Sequence, residues 1–422
     1  MGAAVTVSAV AVSVVVAHYE QHDLLALVLD ALEDQVDLDG RPVELEVVVA
    51  DDGSAQPPDP GHRPYAVRVV SQADEGFRAA SVRNLGLSAT TGGTVVFLDA
   101  DTVPERELVA RLAAVVDDGP VGTLAVGRRR HADLEAHTRD EIRDWLAGRG
   151  PAPRVLDEPR WLADGYTQTR NLRDADERSY RFVISAVLAA PRSLLDRIGG
   201  FDATMSGYGG EDWDLANRAW LAGADLRHVP EAVAWHAGPD VEGRGEPDAV
   251  ARKNAESLAL ALRIADPLAR PLGPAWPFPR LVALVEAAGV PAPLLLATVA
   301  SVLAGRDAAV YLQGLEPSDQ SNPRDELPEP VRTDPRVHLG AVPDQVRARC
   351  HQVLRLVQPA VLAAWPQADD LGAVTVPGLL TLTTTRGQAR ATERPEATTA
   401  AALGVRPLGP DSALEGIWGG WA

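Results

Sequence analysis

The sequence predicts an α/β protein with a mostly parallel sheet in its N-terminal part and a mainly helical or mixed C-terminal domain. Three features lead there. Valine-rich runs alternate with segments of helical period, several runs stop at acidic clusters, and a Gly-, Pro- and Asp-rich stretch ending near Asp248 precedes sequence of a different kind. The expected domains are residues 1–248 and 249–422, and the length suits two cores.

Residues 3–17 have valine at almost every other position and no positive residue before them. They are shorter than the ~20 residues that span a bilayer, so they read as a buried strand rather than a signal or anchor. His18-Tyr19-Glu20 follows, and then Leu24, Leu25, Val28 and Leu32 set a helical period that carries the chain back across the sheet. Residues 45–50 are the second strand, ending abruptly at Asp51-Asp52-Gly53-Ser54, and 67–70 are the third. A helix over 79–89 leads to a fourth strand, 94–98, which stops at Asp99-Ala100-Asp101. In such a sheet a ligand lies beyond the carboxyl ends of the strands, where both acidic clusters fall.

A helix is expected from Pro104 to about Asp118, and the polar, charged stretch 128–181 reads as an insertion over the site. Residues 182–190 are strand-like and are followed by a helix, Gly199-Gly200-Phe201-Asp202, and a glycine-rich loop through Gly210. Glu211-Asp212 opens another helix, and strands are expected at 226–229 and 233–236. Beyond the boundary, helices are expected at 250–264, 278–304 and 344–363, with a Pro-, Asp- and Ser-rich segment around 316–335. Residues 294–315 followed by 334–340 faintly echo the order of the first half, as a degenerate second α/β unit would.

Charge narrows the partners. Fifty-nine acidic against forty basic residues give a net charge of −19, which repels duplex nucleic acid and anionic membranes. A pyrophosphate remains acceptable, because one metal ion and one or two basic side chains neutralise it. Cys350 is the single cysteine, so neither an intramolecular disulfide nor a cysteine-rich zinc site is possible, and a reducing cytoplasm fits.

The acidic clusters carry the chemistry. Asp99 and Asp101 alternate at a strand end, so both carboxylates face one side and suit a hard cation such as Mg²⁺ or Mn²⁺. His236, after Trp235 at another strand end, is a candidate third ligand. Asp52 can accept hydrogen bonds from a nucleobase or ribose beside the Gly53 turn. Arg83 and Asn84 are candidates for a phosphate or for holding the metal loop. Glu211-Asp212, after the flexible glycine loop, suits closure around a substrate.

In this order the motifs resemble family 2 glycosyltransferases: Val14 through Tyr19, Ala50-Asp51-Asp52-Gly53-Ser54, Gly76-Phe77-Arg78 with Val82-Arg83-Asn84-Leu85-Gly86, Leu98-Asp99-Ala100-Asp101, Gly199-Gly200-Phe201-Asp202, Gly209-Gly210-Glu211-Asp212 and Trp235-His236. The likeness is greatest to the chondroitin-polymerase and galactosyltransferase-like branch and covers about residues 8–240. It implies a GT-A fold and an inverting, metal-dependent enzyme. The transferred group would be a hexose or N-acetylhexosamine from a UDP-sugar, and the acceptor a nucleophile on a glycan, peptide or natural product. By the same resemblance His18, Tyr19, Glu20, Asp52, Arg83, Asn84, Asp99, Ala100 and Gly210 surround the donor. Asp99, Asp101 and His236 serve Mn²⁺ or Mg²⁺, Asp212 is the general base, and Glu211 binds hydroxyls. Assigning the base to Asp212 rather than Glu211 rests on the family alone.

Ser185-Ala186 stands where many relatives have Gly-Asn, which leaves the donor sugar open. A non-catalytic pseudo-glycosyltransferase that recruits partners is the rival reading, and it has no need of converging carboxylates. A sugar nucleotidyltransferase would carry a basic, Gly-rich loop after the first strand, where this chain has Ala17-His18-Tyr19-Glu20. The C-terminal part is open to roles in the acceptor groove, in holding a carrier or peptide substrate, or in homodimerisation.

Overall fold

The computed structural model describes residues 12–207, 209–240, 249–315, 323–367, 372–390 and 396–418. The start of the first expected strand, Tyr208 of the glycine loop, the boundary at 241–248 and part of the 316–335 segment lie outside them. Two compact units separate, one formed by Met1–Trp220 with Ala224–Ala259, the other by Leu221–Gly223 with Leu260–Ala422. Among the described residues no helix is long and apolar enough to cross a membrane.

The first unit opens with β1 (Val12–His18), α1 (His22–Glu33), β2 (Leu45–Asp51), β3 (Ala66–Ser71), α2 (Ala79–Ser88) and β4 (Thr94–Asp99). Val14, Val15 and Val16 of β1 and Val47, Val48 and Val49 of β2 are fully buried, as continuous β-branched runs are when helices cover both faces of a parallel sheet. There follow β5 (Thr102–Pro104), α3 (Leu108–Val116), β6 (Thr123–Ala132), α4 (Arg139–Leu146), β7 (Val155–Leu156), α5 (Arg160–Gln168), β8 (Val187–Pro191), α6 (Arg192–Ile198), α7 (Glu211–Leu221), β9 (Asp225–Ala237) and α8 (Ala249–Ala261). The strand order is β3-β2-β1-β4-β8-β6-β9-β5, with β7 beside β6. From β3 to β4 every pairing is parallel, whereas β8 runs antiparallel to both β4 and β6. The α/β expectation therefore holds, with parallel and antiparallel pairings mixed beyond β4.

Three boundaries differ from expectation. The stretch 128–181 is not all insertion, because Arg128, Arg129 and Arg130 lie within β6. Three consecutive arginines hide the strand from a hydrophobic pattern, but each has a partner: Glu158 for Arg128, Asp240 for Arg129, and the Trp235 ring, 4.3 Å away, for Arg130. The two strands expected after α7 are one, β9, whose register against β6 shifts at Gly127/Arg128. The helix expected from Pro104 begins only at Leu108, because Thr102–Pro104 pairs with β9.

The second unit contains β10 (Leu281–Glu286), α9 (Ala292–Leu303), β11 (Ala308–Gln313), α10 (Glu329–Thr333), β12 (Val337–Leu339), α11 (Asp344–Arg347), β13 (Gln352–Leu356), β14 (Ala360–Leu362), β15 (Ala373–Val376), β16 (Leu380–Thr384), β17 (Glu396–Ala397) and β18 (Val405–Pro407). Its main sheet has the order β12-β11-β10-β13-β16-β15-β17. The helix expected over 278–304 is β10 and α9, separated at Pro291, and that expected over 344–363 is the short α11 followed by β13 and β14. Short apolar runs buried on both faces do not distinguish strand from helix by period. The pairings β12-β11-β10-β13 are parallel and β16 is antiparallel to β13, the same sequence of pairings as β3-β2-β1-β4 with β8.

Helix α2 lies close against the first sheet because residue 86 lacks a side chain: a Cβ there would run into Val15 Cγ1 and touch Ala50. Gly86→Val is expected to force α2 off β1 and lower stability by about 1–3 kcal/mol, read as a shift in the urea unfolding midpoint.

Candidate functional site

Register builds the site. Parallel pairing aligns His18 with Asp51 and Ala17 with Asp99, so the ends of β1, β2 and β4 form one rim. His18 Nδ1 and Asp51 Oδ1 lie 2.9 Å apart, and the Ser54 hydroxyl donates to the same oxygen at 2.6 Å. Burial would raise Asp51, but the bonds from Ser54 and His18 outweigh it and hold the carboxyl below its ordinary value. Burial lowers His18 despite Asp51. Glu20 has φ 57°, an unusual conformation for a side-chain-bearing residue; its N–H donates to Ser54 Oγ and its carboxylate accepts from Ala55 N–H. Tyr19 is half exposed and its hydroxyl donates to Asp74 at 3.3 Å.

Asp52 is buried, accepting from Gln72 Nε2 at 2.5 Å and from the Arg78 N–H at 2.9 Å. It thus ties down the loop before α2. Gly53 has φ 87°, and a Cβ there would collide with the Asp74 backbone, so the turn beside Asp52 admits only glycine.

At the end of β4 the two aspartates part company. Asp99 accepts from Arg83 Nη2 at 2.7 Å. Ala100 is buried and its N–H bonds to the Ala17 carbonyl; its place on the donor side is a backbone one. Asp101 accepts from Thr102 Oγ1 at 3.1 Å and Gln21 Nε2 at 3.4 Å, and its Oδ2 lies 3.5 Å from His236 Nε2. The β5–β9 pairing, Thr102 opposite His236, sets this approach.

His236 is oriented by Gly238, whose carbonyl lies 3.2 Å from His236 Nδ1 and 3.1 Å from His131 Nδ1. A carbonyl only accepts, so each Nδ1 carries a proton, and the His236 ring turns its Nε2 toward Asp101. A nitrogen and a carboxylate oxygen facing each other in this way fit a divalent cation. Asp99 does not join them: among the described residues no group of three or more His, Cys, Asp or Glu side chains is arranged to hold a metal. Of the three expected ligands, Asp101 and His236 face each other, whereas Asp99 is engaged by Arg83.

Arg83 links this rim to α7. Its Nη1 donates to Glu211 at 2.8 Å and its Nη2 to Asp99, with the guanidinium 4% exposed as part of the residue. Burial alone would lower Arg83, but the two carboxylates outweigh it and raise it. Phe201 lies under the guanidinium, 5.6 Å from its centroid. Asn84, expected beside phosphate, instead clamps Phe201 from both sides, donating to its carbonyl at 2.8 Å and accepting its N–H at 2.9 Å. Both ends of the amide are engaged in holding the Gly-Gly-Phe-Asp turn.

Gly210, buried with φ 92°, leads directly into α7. Asp212 in the first turn accepts from the Trp213 N–H at 2.8 Å and also from the Ser185 N–H. Burial and then the negative charge of Glu211 push its carboxyl up to about 7, against Arg83 and those two N–H groups. A carboxylate poised there is suited to take a proton near neutral pH.

Residues 13–182 match the family described as Glycosyl transferase family 2, and residues 175–236 match the N-terminal domain of galactosyltransferase. The chain carries a family 2 glycosyltransferase domain. The glycosyltransferase matches together contain every site residue named above except Gly238. Among curated relatives, chondroitin synthase of Escherichia coli is 29% identical over 57% of this chain and 37% of its own, and hyaluronan synthase of Pasteurella multocida is 27% identical over 58% and 26%. The match thus spans well under half the length of these relatives. A solved mannosyltransferase from Pyrobaculum calidifontis, in complex with GDP-Man and Mn²⁺, is 21% identical over 60% of this chain and 61% of its own, with a TM-score of 0.38.

Sequence reasoning missed three contributors to this crevice. His131 was hidden in the arginine-rich strand, Gly238 acts only through its carbonyl, and Asp51 was passed over for Asp52. A strand-end Asp next to a strand-end His at matched register was the signal available for Asp51 and His18. Because Arg83 neutralises two carboxylates, Arg83→Ala is expected to lower stability by about 3 kcal/mol. Arg83→Lys, with one point charge in place of the fork, should recover only part of the loss in urea unfolding.

Proposed function

We propose that the chain is an inverting glycosyltransferase that moves a hexosyl or N-acetylhexosaminyl group from a UDP-sugar to a hydroxyl or other nucleophile on a glycan, peptide or natural product. The observation that carries this reading is Arg83, which bonds Asp99 and Glu211 at once. The strand-end carboxylates and the head of α7 thereby share one crevice, within a domain of the glycosyltransferase family. The crevice gathers Asp52, Asp99, Asp101, Glu211 and Asp212 against Arg83 and Arg78. This surplus of negative charge favours a cation and, through it, a diphosphate.

In the proposed reaction Asp212 accepts the acceptor's O–H proton as that oxygen forms a bond to the anomeric carbon. The bond from the anomeric carbon to the β-phosphate oxygen breaks on the opposite face, and its electron pair leaves with UDP. Configuration inverts. Asp101 and His236 would hold Mn²⁺ or Mg²⁺, which supplies charge neutralisation of the diphosphate. Asp52 and the His18-Tyr19-Glu20 segment line the side where uridine fits, Glu211 orients a hydroxyl, and Arg83 keeps Glu211 and Asp99 in place. The second unit repeats the strand pairings of the first but ends β13 in Val357-Gln358-Pro359 where β4 has Asp99-Ala100-Asp101. We read it as an accessory domain descended from a second α/β unit, with the domain division falling within 241–259.

Incubating acceptor libraries with mixed UDP-sugars and Mn²⁺ should give UDP and one mass shift that identifies donor and acceptor together; absence of any UDP release would overturn the reading. Asp212→Asn is expected to cut kcat by ~10²–10⁴-fold with UDP binding retained. In the wild type the ionised carboxylate is the active form, so kcat should rise with pH through about 7 and fall about tenfold per unit well below it. The Asn variant should lack that limb. For Asp101→Asn, calorimetry should show the Mn²⁺-dependent part of UDP affinity lost, whereas an unchanged affinity would remove Asp101 from the metal site.

A further inference from the structure

Trp213 directly follows Asp212 and begins a row of aromatic rings. Buried Tyr180 packs edge to face on Trp213 at 6.1 Å, Lys253 Nζ lies 5.6 Å from the same ring, and Trp161 of α5 meets it at 6.2 Å. Trp161 ends the row and is 37% exposed. Asp164, three residues on and on the same helical face, is also exposed.

Helix α5 is held rigidly. The Tyr166 ring stacks on His228 of β9 at 3.6 Å with 6° between planes, and its hydroxyl donates to the Phe182 carbonyl at 2.8 Å. Just past the helix, Arg170, Asn171 and Leu172 have φ of 50°, 59° and 60°. Left-handed backbone is unfavourable for side-chain-bearing residues, so the turn persists because its surroundings enforce it. His228 does so: its N–H donates to the Asn171 carbonyl at 3.1 Å and its Nδ1 lies 2.9 Å from Asn171 Oδ1.

A tryptophan left exposed on a fixed helix beside a proton acceptor suits one kind of occupant. A pyranose presents a flat C–H face for an indole and a rim of hydroxyls for a carboxylate and a base, whereas an extended peptide needs rows of backbone donors and acceptors. We propose that Trp161, backed by Trp213, stacks on a pyranose ring of the acceptor, with Asp164 at its hydroxyl rim, and thereby presents one hydroxyl to Asp212. The inference rests on the transferase reading above and makes the acceptor a carbohydrate rather than a peptide.

The test is saturation-transfer NMR and calorimetry with cello-, chito- and hyaluronan-derived tetrasaccharides, on the whole chain with UDP and Mn²⁺ present. At least one saccharide should bind the wild type, bind Trp161→Ala at least tenfold more weakly, and recover most of its affinity in Trp161→Tyr. UDP affinity should change less than twofold in both variants, which also reports that they are folded. If UDP binds and none of the saccharides does, or if Trp161→Ala binds them as well as the wild type, the stacking platform is wrong and the transferase reading stands. If UDP itself does not bind with Mn²⁺, the transferase reading fails and takes the platform with it.

Discussion

Arg83 is held between two carboxylates that reach it from distant parts of the chain, Asp99 at the end of β4 and Glu211 at the head of α7. A buried cation with one partner would still be costly, and the two carboxylates, one of them buried, would repel each other without it. Each member therefore depends on the other two, and the backbone segments that carry them cannot drift apart without exposing an unpaired charge. The motifs around this triad make sense as its supports. Asn84 clamps the Phe201 backbone, the Phe201 ring lies under the guanidinium, and Gly86 lets α2 approach β1 closely enough to deliver Arg83. The Gly-Gly-Phe-Asp turn thus braces the arginine.

Freedom is distributed around this fixed point according to chemistry. Asp99 is immobilised by Arg83, while Asp101, two residues on, has only weak polar neighbours and faces Nε2 of His236. The Gly238 carbonyl determines which nitrogen of His236 is protonated, and so which is available. Asp212 escapes the arginine and remains close to Glu211, and the resulting burial and repulsion raise its proton affinity into the neutral range. Neighbouring carboxylates separate in this way into one that holds structure, one suited to a cation and one suited to a proton.

The second unit has the same pattern of strand pairings without acidic clusters at the same strand ends. Its strands pair in the same order and sense as those of the first unit, because buried β-branched runs and short crossovers are enough to specify such a sheet. The strand ends are a separate matter. β11 ends in Gln313 and β13 is followed by Val357, whereas β2 ends in Asp51 and β4 in Asp99, so these pairings do not require strand-end carboxylates.

Much was legible in the sequence. Valine runs and helical periods determined the first four strands and their helices, since β1, β2 and β4 are buried on both faces and local pattern agrees with global packing. The acidic clusters could be assigned to one crevice because parallel strands must end on the same side. Where charge or symmetry of burial masked the pattern, in arginine-rich β6 and in β10 and β13, it failed. Tertiary structure alone decided which carboxylate pairs with Arg83, that Asn84 serves Phe201 rather than a phosphate, and that His131 and His236 share one carbonyl. These outcomes depend on strand register and on the approach of residues distant in the chain, and a one-dimensional pattern carries neither distance nor direction.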